Sequence, residues 1–239
     1  MALPGERKGV LTDMGLFEEI PRFFTYYNGL FLLQAAGRTI GLSAIGCAVG
    51  FAVGFFLAIL RITREKNLLP VRLASIGYVE FFRRVPFLVT LMLVFFFCQA
   101  LRLQLSVFTV AMITVCLIAS GFIAEIVRAG IESVHVNQWE AGEVLNFSMG
   151  QKLRLVIIPQ AWKVILPPAF SFFISFIKDT ALASQIGVIE LTYAGKVFNN
   201  KGFSAILVFG TILILYFVIS YPLARLGRWM EGKLVVSKH

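Results

Sequence analysis

The chain has 239 residues, 58% of them hydrophobic and only 15% charged, with a formal net charge of +9. A soluble domain carries about a quarter charged residues, and one core at this length cannot bury so large an apolar excess. The composition therefore excludes an ordinary soluble globule. It fits a membrane protein whose Lys and Arg collect in cytoplasmic loops, and no nucleic-acid partner is expected.

The first charges, Arg7 and Lys8, are not followed closely by an apolar core, unlike a secretory signal peptide. Leu16, Ile20, Phe23, Phe24 and Tyr27 then recur at helical spacing. They predict an interfacial helix that Pro21 bends or restarts.

Five apolar runs follow. Arg38 and Arg61 enclose 22 uncharged residues, and about 20 suffice to cross a bilayer as one helix. Within this run Gly46, Gly50 and Gly54 stand four apart, a strip that lets another helix approach closely, either in the same chain or in a partner. Arg84 and Arg102 enclose 17 uncharged residues, Arg102 and Glu125 enclose 22, and Lys201 and Arg225 enclose 23. Lys163 and Lys178 enclose 14, with apolar sequence resuming from Thr180 to Ile189, so the fourth helix is interrupted by charge. Cys47, Cys98 and Cys116 fall inside these runs without metal-ligand spacing and read as buried thiols; no metal site is expected.

The expected fold is therefore all-α and integral to the membrane, with about five transmembrane helices. Fourteen Lys and Arg fall on the side holding the connections 61–84 and 128–163 and the C-terminal tail; seven fall on the other. The first side is expected to be cytosolic, with the N-terminus outside and the C-terminus inside. The domains are read as an N-terminal interfacial segment 1–27, a transmembrane domain 28–232 and a cytosolic tail 233–239.

The connection at 137–159 is long and charged. Asn137 and Glu140 have capping-box spacing, Trp139, Val144, Leu145 and Phe147 offer apolar contacts, and Gly150 suits a helix stop. A second short helix carrying Leu153, Val156 and Ile157 leads to Pro159. This predicts two short helices held against the cytosolic face.

The same stretch resembles the signature of the permease subunits of bacterial ABC importers: Glu-Ala-Ala, three residues, Gly, nine residues, Ile-x-Leu-Pro. Here Glu140, Ala141 and Gly142 stand first, Asn146 holds the glycine place, and Val156, Ile157, Ile158 and Pro159 close it. Asn is among the few non-glycine residues that enter left-handed backbone readily, so the turn survives. Further runs resemble the polar amino-acid branch: YVEFFRRVP at 78–86, GFIAEIVRAGI at 121–131, PQAWKVILPP at 159–168, KDTAL at 178–182 and IGVIELT at 186–192. The chain departs from that branch at Arg84 and Val85, where Gly-Thr is usual, and at Ser171 and Phe172, where many relatives carry Asn-Glu.

The resemblance implies a non-catalytic subunit of the bacterial inner membrane. Its implied partners are two cytosolic ATPase subunits, a second permease chain of the same or similar kind, and an extracytoplasmic substrate-binding protein. No cofactor belongs to this chain; ATP and magnesium would sit on the ATPase. Contact with the ATPase falls to Asn137, Gln138, Glu140, Ala141, Gly142, Leu145, Asn146 and Pro159. Lys178 and Asp179 are costly in an apolar span, and one of them is expected to pair with Glu125, Arg128 or Arg83. With Arg83, Glu125 and Thr180 they are the candidates for the translocation path or its gate, or else for a buried structural network.

GRWMEGKL at 227–234 has the glycine and lysine spacing of a phosphate loop, but Leu234 replaces the magnesium-binding hydroxyl; it reads as a basic juxtamembrane tail. Two other classes remain: a stand-alone channel or ion-driven carrier, for which no convincing repeat is found, and a non-transporting membrane regulator that uses the same ATPase.

Overall fold

The computed structural model describes residues 16–63 and 66–235. Arg7, Lys8, Arg64 and Lys238, used in the orientation argument, lie outside the described residues, as do residues 1–15 and 236–239 of the two terminal segments. Among the described residues every regular element is helical.

Helix α1 (Leu16–Phe23) contains Pro21 without breaking there. The break comes at Thr25, which is extended and whose side chain accepts from the Asn28 amide to start α2 (Tyr26–Ile62). The Asn28 side chain also donates to the Phe23 carbonyl at 2.9 Å, closing α1. The short helix docks on the bundle. Phe23 is buried against Phe198 and Phe203, ring centroids 5.1 and 5.3 Å away. The buried Glu19 carboxylate accepts from Ser204 N at 2.9 Å.

After a 3-10 turn at Lys66–Leu68 come α3 (Leu69–Arg84) and α4 (Phe87–Ala100), bent by 114° at Val85–Pro86. A residue before proline is driven out of helical backbone, and Val85 is extended (φ −87°, ψ 132°). Alone, α4 has 14 residues. That is about 21 Å of helix, short of an apolar bilayer core of about 30 Å. The expected second span is thus the second limb of an elbow. Helix α5 (Val107–Glu132) follows, started by Ser106, whose side chain accepts from Thr109 N. Among the described residues four helical stretches are long and apolar enough to cross a membrane, and the bent α3–α4 pair makes five when taken as one span.

The registers support that count. Gly46, Gly50 and Gly54 of α2 meet Val115, Ala119 and Ser120–Ala124 of α5 in ascending order, so the two helices run parallel, and α3–α4 must carry the chain back between them. The glycine strip therefore serves a neighbour within the chain. A Cβ on Gly50 would lie 2.5 Å from Ala119 Cβ and 3.1 Å from Ser120 N; one on Gly54 would lie 2.7 Å from Ser120 O. These are near backbone-to-backbone contacts.

Two short elements follow α5: α6 (Val136–Val144), then a single turn at Met149–Gln151 continuing into a π-helical stretch at Lys152–Ile157. The expected capping box at Asn137 and Glu140 is not formed. His135 caps α6, its Nδ1 accepting from Asn137 N, and both Asn137 and Glu140 lie inside the helix. The capping box is one element later, at Ser148 and Gln151. Nor does Gly150 stop α6, for it lies within the Met149–Gln151 turn. The stop is Asn146 at φ 55°. Asn146 N donates to Glu143 O and Phe147 N to Gly142 O, the paired bonds that close a helix on a left-handed residue.

Helix α7 (Ile158–Asp179) continues from the π-helical stretch, holds Pro167 and Pro168, and ends with Lys178 and Asp179. The expected continuation of helix to Ile189 is replaced by a 3-10 turn, Thr180–Ile186, which ends at Gly187 with φ 90°. The charged pair therefore marks the end of an α-helix rather than the middle of one. Helices α8 (Leu191–Asn200) and α9 (Ala205–Val235) complete the chain. The GRWMEGKL stretch is continuous helix within α9, and a Cβ on Gly227 would stand 3.0 Å from the Phe170 ring. It forms no phosphate loop. Cys47 and Cys98 are buried and Cys116 is half-buried, all three free.

Two stability predictions follow from these contacts. Gly54→Ala should lower stability by about 1–3 kcal/mol, the usual range for overpacking, whereas Gly41→Ala, where a Cβ meets nothing within 4 Å, should change it by less than about 1 kcal/mol. Thermal unfolding in detergent measures both, and equal behaviour of the two variants would refute the close α2–α5 contact. Likewise Asn146→Ala should cost roughly 1–2 kcal/mol of left-handed backbone strain, and Asn146→Gly should not; the same melting curves decide.

Candidate functional site

The 135–160 segment is built as a rigid projection. Trp139 packs into a cluster with Ile131, Leu153 and Ile157. Gln160 of α7 donates to the Gln138 side chain at 2.9 Å, and Lys152 Nζ meets Glu143 Oε1 at 2.9 Å. Gly142 is buried under Lys152, whose Cγ would lie 2.8 Å from an added Cβ; the Ala-to-Gly departure from the signature thus has a local cause. The remaining face is open. Asn137, Glu140, Ala141 and Asn146 are exposed, as are Val136, Val144 and Leu145, at 57%, 81% and 62%. Pro159, also exposed, occupies the first turn of α7, where its missing N–H costs nothing.

The charged residues sort differently from the sequence expectation. Glu125 on α5 is the hub of a cluster: Arg61 Nη1 lies 2.9 Å from Oε2, Arg83 Nη1 3.5 Å from Oε2, and Arg128 Nη2 2.5 Å from Oε1. Arg128 also bonds Glu132. Arg84 gives Nε and Nη2 to Glu80 at 2.9 and 2.7 Å. Neither Lys178 nor Asp179 joins this cluster, and among the described residues neither has an ion pair within 4.0 Å. Arg83, Glu125 and Arg128 are therefore partners of one another rather than of the 178–179 pair. Thr180 is buried, donating to Ile177 O at 2.7 Å with Ser43 Oγ 3.4 Å away, at the contact of α2 with the 3-10 turn.

Asp179 and Arg83 do meet at a cavity of about 420 Å³ between the α3–α4 elbow, α5 and α7. Helix α7 presents Phe172, Ser175, Phe176 and Asp179 to it, spaced so that they form one helical face. Phe122 of α5 stacks on Phe172 at 5.1 Å and 21°. Phe176 lies 5.0 Å from Phe172 and 5.7 Å from Phe87. Arg83 and Arg84 border the elbow side.

Two sets of residues escaped the sequence reading. Arg61 enters the sequence reading only as the boundary of a span and as one of the charges that set the orientation, yet it is the nearly buried partner of Glu125. Glu190, fully buried, starts α8: its oxygens accept from Tyr193 N at 2.7 Å and Thr192 N at 2.9 Å, and Tyr216 of α9 donates to it at 2.9 Å. Leu191 N donates to Thr39 of α2 at 3.2 Å. An acid just before a short polar helix is a capping signal that could have found Glu190.

Known proteins share this architecture. The chain is 28% identical over 90% of its length, and 95% of the relative's, to the probable glutamine ABC transporter permease protein GlnM of Bacillus subtilis. It is 34% identical to the L-cystine transport system permease protein TcyB of the same organism, over 82% of this chain and 83% of that one. In three dimensions it superposes with a TM-score of 0.81 on a chain of an amino acid ABC transporter crystallised with histidines, at 26% identity, covering 92% of this chain and 99% of that one. Residues 50–234 match the family described as binding-protein-dependent transport system inner membrane component. With most of its length inside that match, the chain belongs to this family of transporter membrane subunits.

Proposed function

We propose that the chain is the membrane-spanning permease subunit of an ATP-driven importer of the bacterial inner membrane, carrying an amino acid or similar small zwitterion. It performs no chemistry of its own. ATP and magnesium belong to two cytosolic ATPase subunits, a second permease chain of the same or similar kind completes the path, and a binding protein delivers substrate from outside. The relatives are permeases by name, which supports this reading over a stand-alone channel, an ion-driven carrier or a non-transporting regulator.

One observation carries the proposal: α6 is joined to two walls of the cavity. It follows α5 after three residues, and Gln138 and Glu143 tie it to Gln160 and Lys152 at the root of α7. Helix α5 supplies Phe122 to the cavity and α7 supplies Phe172 to Asp179. An ATPase gripping the open face of α6 would move both walls together. The exposed Val144 and Leu145 are the apolar contacts for that grip and Glu140 the charged one, with Asn137, Gln138, Ala141, Gly142, Asn146 and Pro159 shaping the surface. Arg83, Glu125, Lys178, Asp179 and Thr180 are assigned to the path or its gate. The Lys and Arg balance supports the reading in which this face and the C-terminus are in the cytosol and the N-terminus is outside.

Val144→Asp and Glu140→Lys alter exposed side chains, so each should change thermal stability by no more than about 0.5 kcal/mol. Both should reduce ATPase copurification and ATP-driven uptake several-fold. Undiminished uptake by assembled mutant complexes would sink the coupling role. For orientation, Ala141→Cys and Lys201→Cys, in a chain lacking Cys47, Cys98 and Cys116, should react with an impermeant thiol reagent from opposite sides. Labelling outside should reach position 201 and miss 141; the reverse pattern would invert the topology.

A further inference from the structure

The cavity at the α3–α4 elbow has two polar ends and an apolar flank. Asp179 is a lining carboxylate without an ion pair within 4.0 Å among the described residues. Arg83 and Arg84 also line it, and each already meets a carboxylate: Arg84 holds Glu80 at 2.7 Å, and Arg83 lies 3.5 Å from Glu125. Phe87, Phe122, Phe172 and Phe176 form a run of rings in mutual contact, with centroids 5.0–5.7 Å apart. Its volume of about 420 Å³ falls within the range of about 300–1,000 Å³ for small-molecule sites.

We propose that this cavity selects amino acids with an uncharged, apolar or aromatic side chain, seating the ammonium group on Asp179, the carboxylate toward Arg83 and Arg84, and the side chain on the phenylalanine wall. The proposal rests on the cavity being part of the transport path. Its physical basis is the count of unmatched charges. Asp179 can compensate one ammonium group, and Arg83, one of three arginines sharing the single Glu125 carboxylate, keeps positive charge to receive one carboxylate. A second charge on the substrate would lie against the rings with no counter-charge to meet it. A cationic side chain is drawn to ring faces, but Phe122 and Phe172 cover each other's faces, stacked at 21°, and Arg83 and Arg84 repel it. An anionic side chain meets Asp179 or the electron-rich ring faces. Ser175, one turn before Asp179 on the same helical face, offers a hydroxyl where a second carboxylate would be needed to accept a basic side chain.

The test is equilibrium binding of radiolabelled leucine, phenylalanine, arginine and glutamate to the permease–ATPase complex in nanodiscs, without the binding protein. Leucine and phenylalanine should bind at least tenfold more tightly than arginine or glutamate. Phe172→Ala should weaken leucine and phenylalanine about tenfold. Ser175→Asp should strengthen arginine about tenfold while weakening leucine, a gain that a misfolded complex cannot mimic. Arginine or glutamate binding most tightly to the unaltered complex, with Ser175→Asp still shifting the preference, would overturn the selectivity and leave the cavity as a substrate site. Absence of binding by all four, with no response to Ser175→Asp, would overturn the cavity's place in the path as well. Failure of the importer reading itself would show separately, as loss of the copurifying ATPase from the unaltered chain.

Discussion

The close approach of α2 to α5 sets most of the other distances. Lipid tails are as apolar as leucine, so helices in a bilayer gain little by hiding apolar surface from it and associate through tight packing and interhelical hydrogen bonds. Gly50 and Gly54 bring backbone against backbone at Ala119, Ser120 and Ala124. Two turns beyond Gly54 on the same side of α2 lies Arg61, and one residue beyond Ala124 on α5 lies Glu125. Their 2.9 Å ion pair therefore depends on the glycine strip upstream. A side chain at position 54 would spread the helices and pull this pair apart.

That pair anchors a cluster with more positive than negative charge around its hub. Three guanidinium groups, from α2, α3 and α5, converge on the single Glu125 carboxylate. Removing one partner of a buried ion pair costs about 3–5 kcal/mol, because the remaining charge is left uncompensated. Glu125 is only partly exposed, and its loss would leave three cations side by side. The cluster also fixes the elbow: Arg83 and Arg84 end α3, immediately before the break at Val85–Pro86. Their ties to Glu80 and Glu125 hold the direction from which α4 departs, and with it Phe87 on the cavity wall.

Much of the fold was legible because charge spacing and bilayer thickness are one-dimensional constraints. The five apolar runs are visible as gaps between charges, and Asn146 could be assigned a left-handed turn from its residue type alone. The misreadings share a cause. Which helix ends meet in space is not written in local spacing, so Arg83, Glu125 and Arg128 are matched to the 178–179 pair, whereas Glu125 gathers both arginines together with Arg61, 64 residues away. Caps were misjudged where a weaker candidate won: His135, absent from the strongly preferred cap residues, starts α6, and the Asn137–Glu140 spacing that matches a capping box falls two residues too late. The glycine strip was ambiguous between an internal and an external partner, and only the register with Val115, Ala119 and Ser120 decides it. Helix α4 was overestimated because counting between Arg84 and Arg102 ignores Pro86, which takes the first residues of that run out of the helix.

The placement of α6 gives the parallel arrangement of α2 and α5 its functional sense. Because α3–α4 returns the chain between them, α5 ends at the same face as α2, and α7 starts from that face as well. Ile165 of α7 packs on Gly130 of α5, where an added Cβ would lie 2.3 Å from its Cγ1. The two helices are thus in contact just above α6 and remain in contact through Phe122 and Phe172 at the cavity. A packed interior transmits displacement because it has few voids to absorb it. A force on the open face of α6 therefore reaches Phe122 through α5 and Asp179 through the 22 residues of α7, about 33 Å of helix. The 3-10 turn after Asp179 limits that transmission, since its hydrogen-bond geometry is poorer than that of the α-helix. Movement of the α7 face lining the cavity can then be absorbed at Thr180–Ile186 while the Glu190–Tyr216–Thr192 knot keeps α8 and α9 in place.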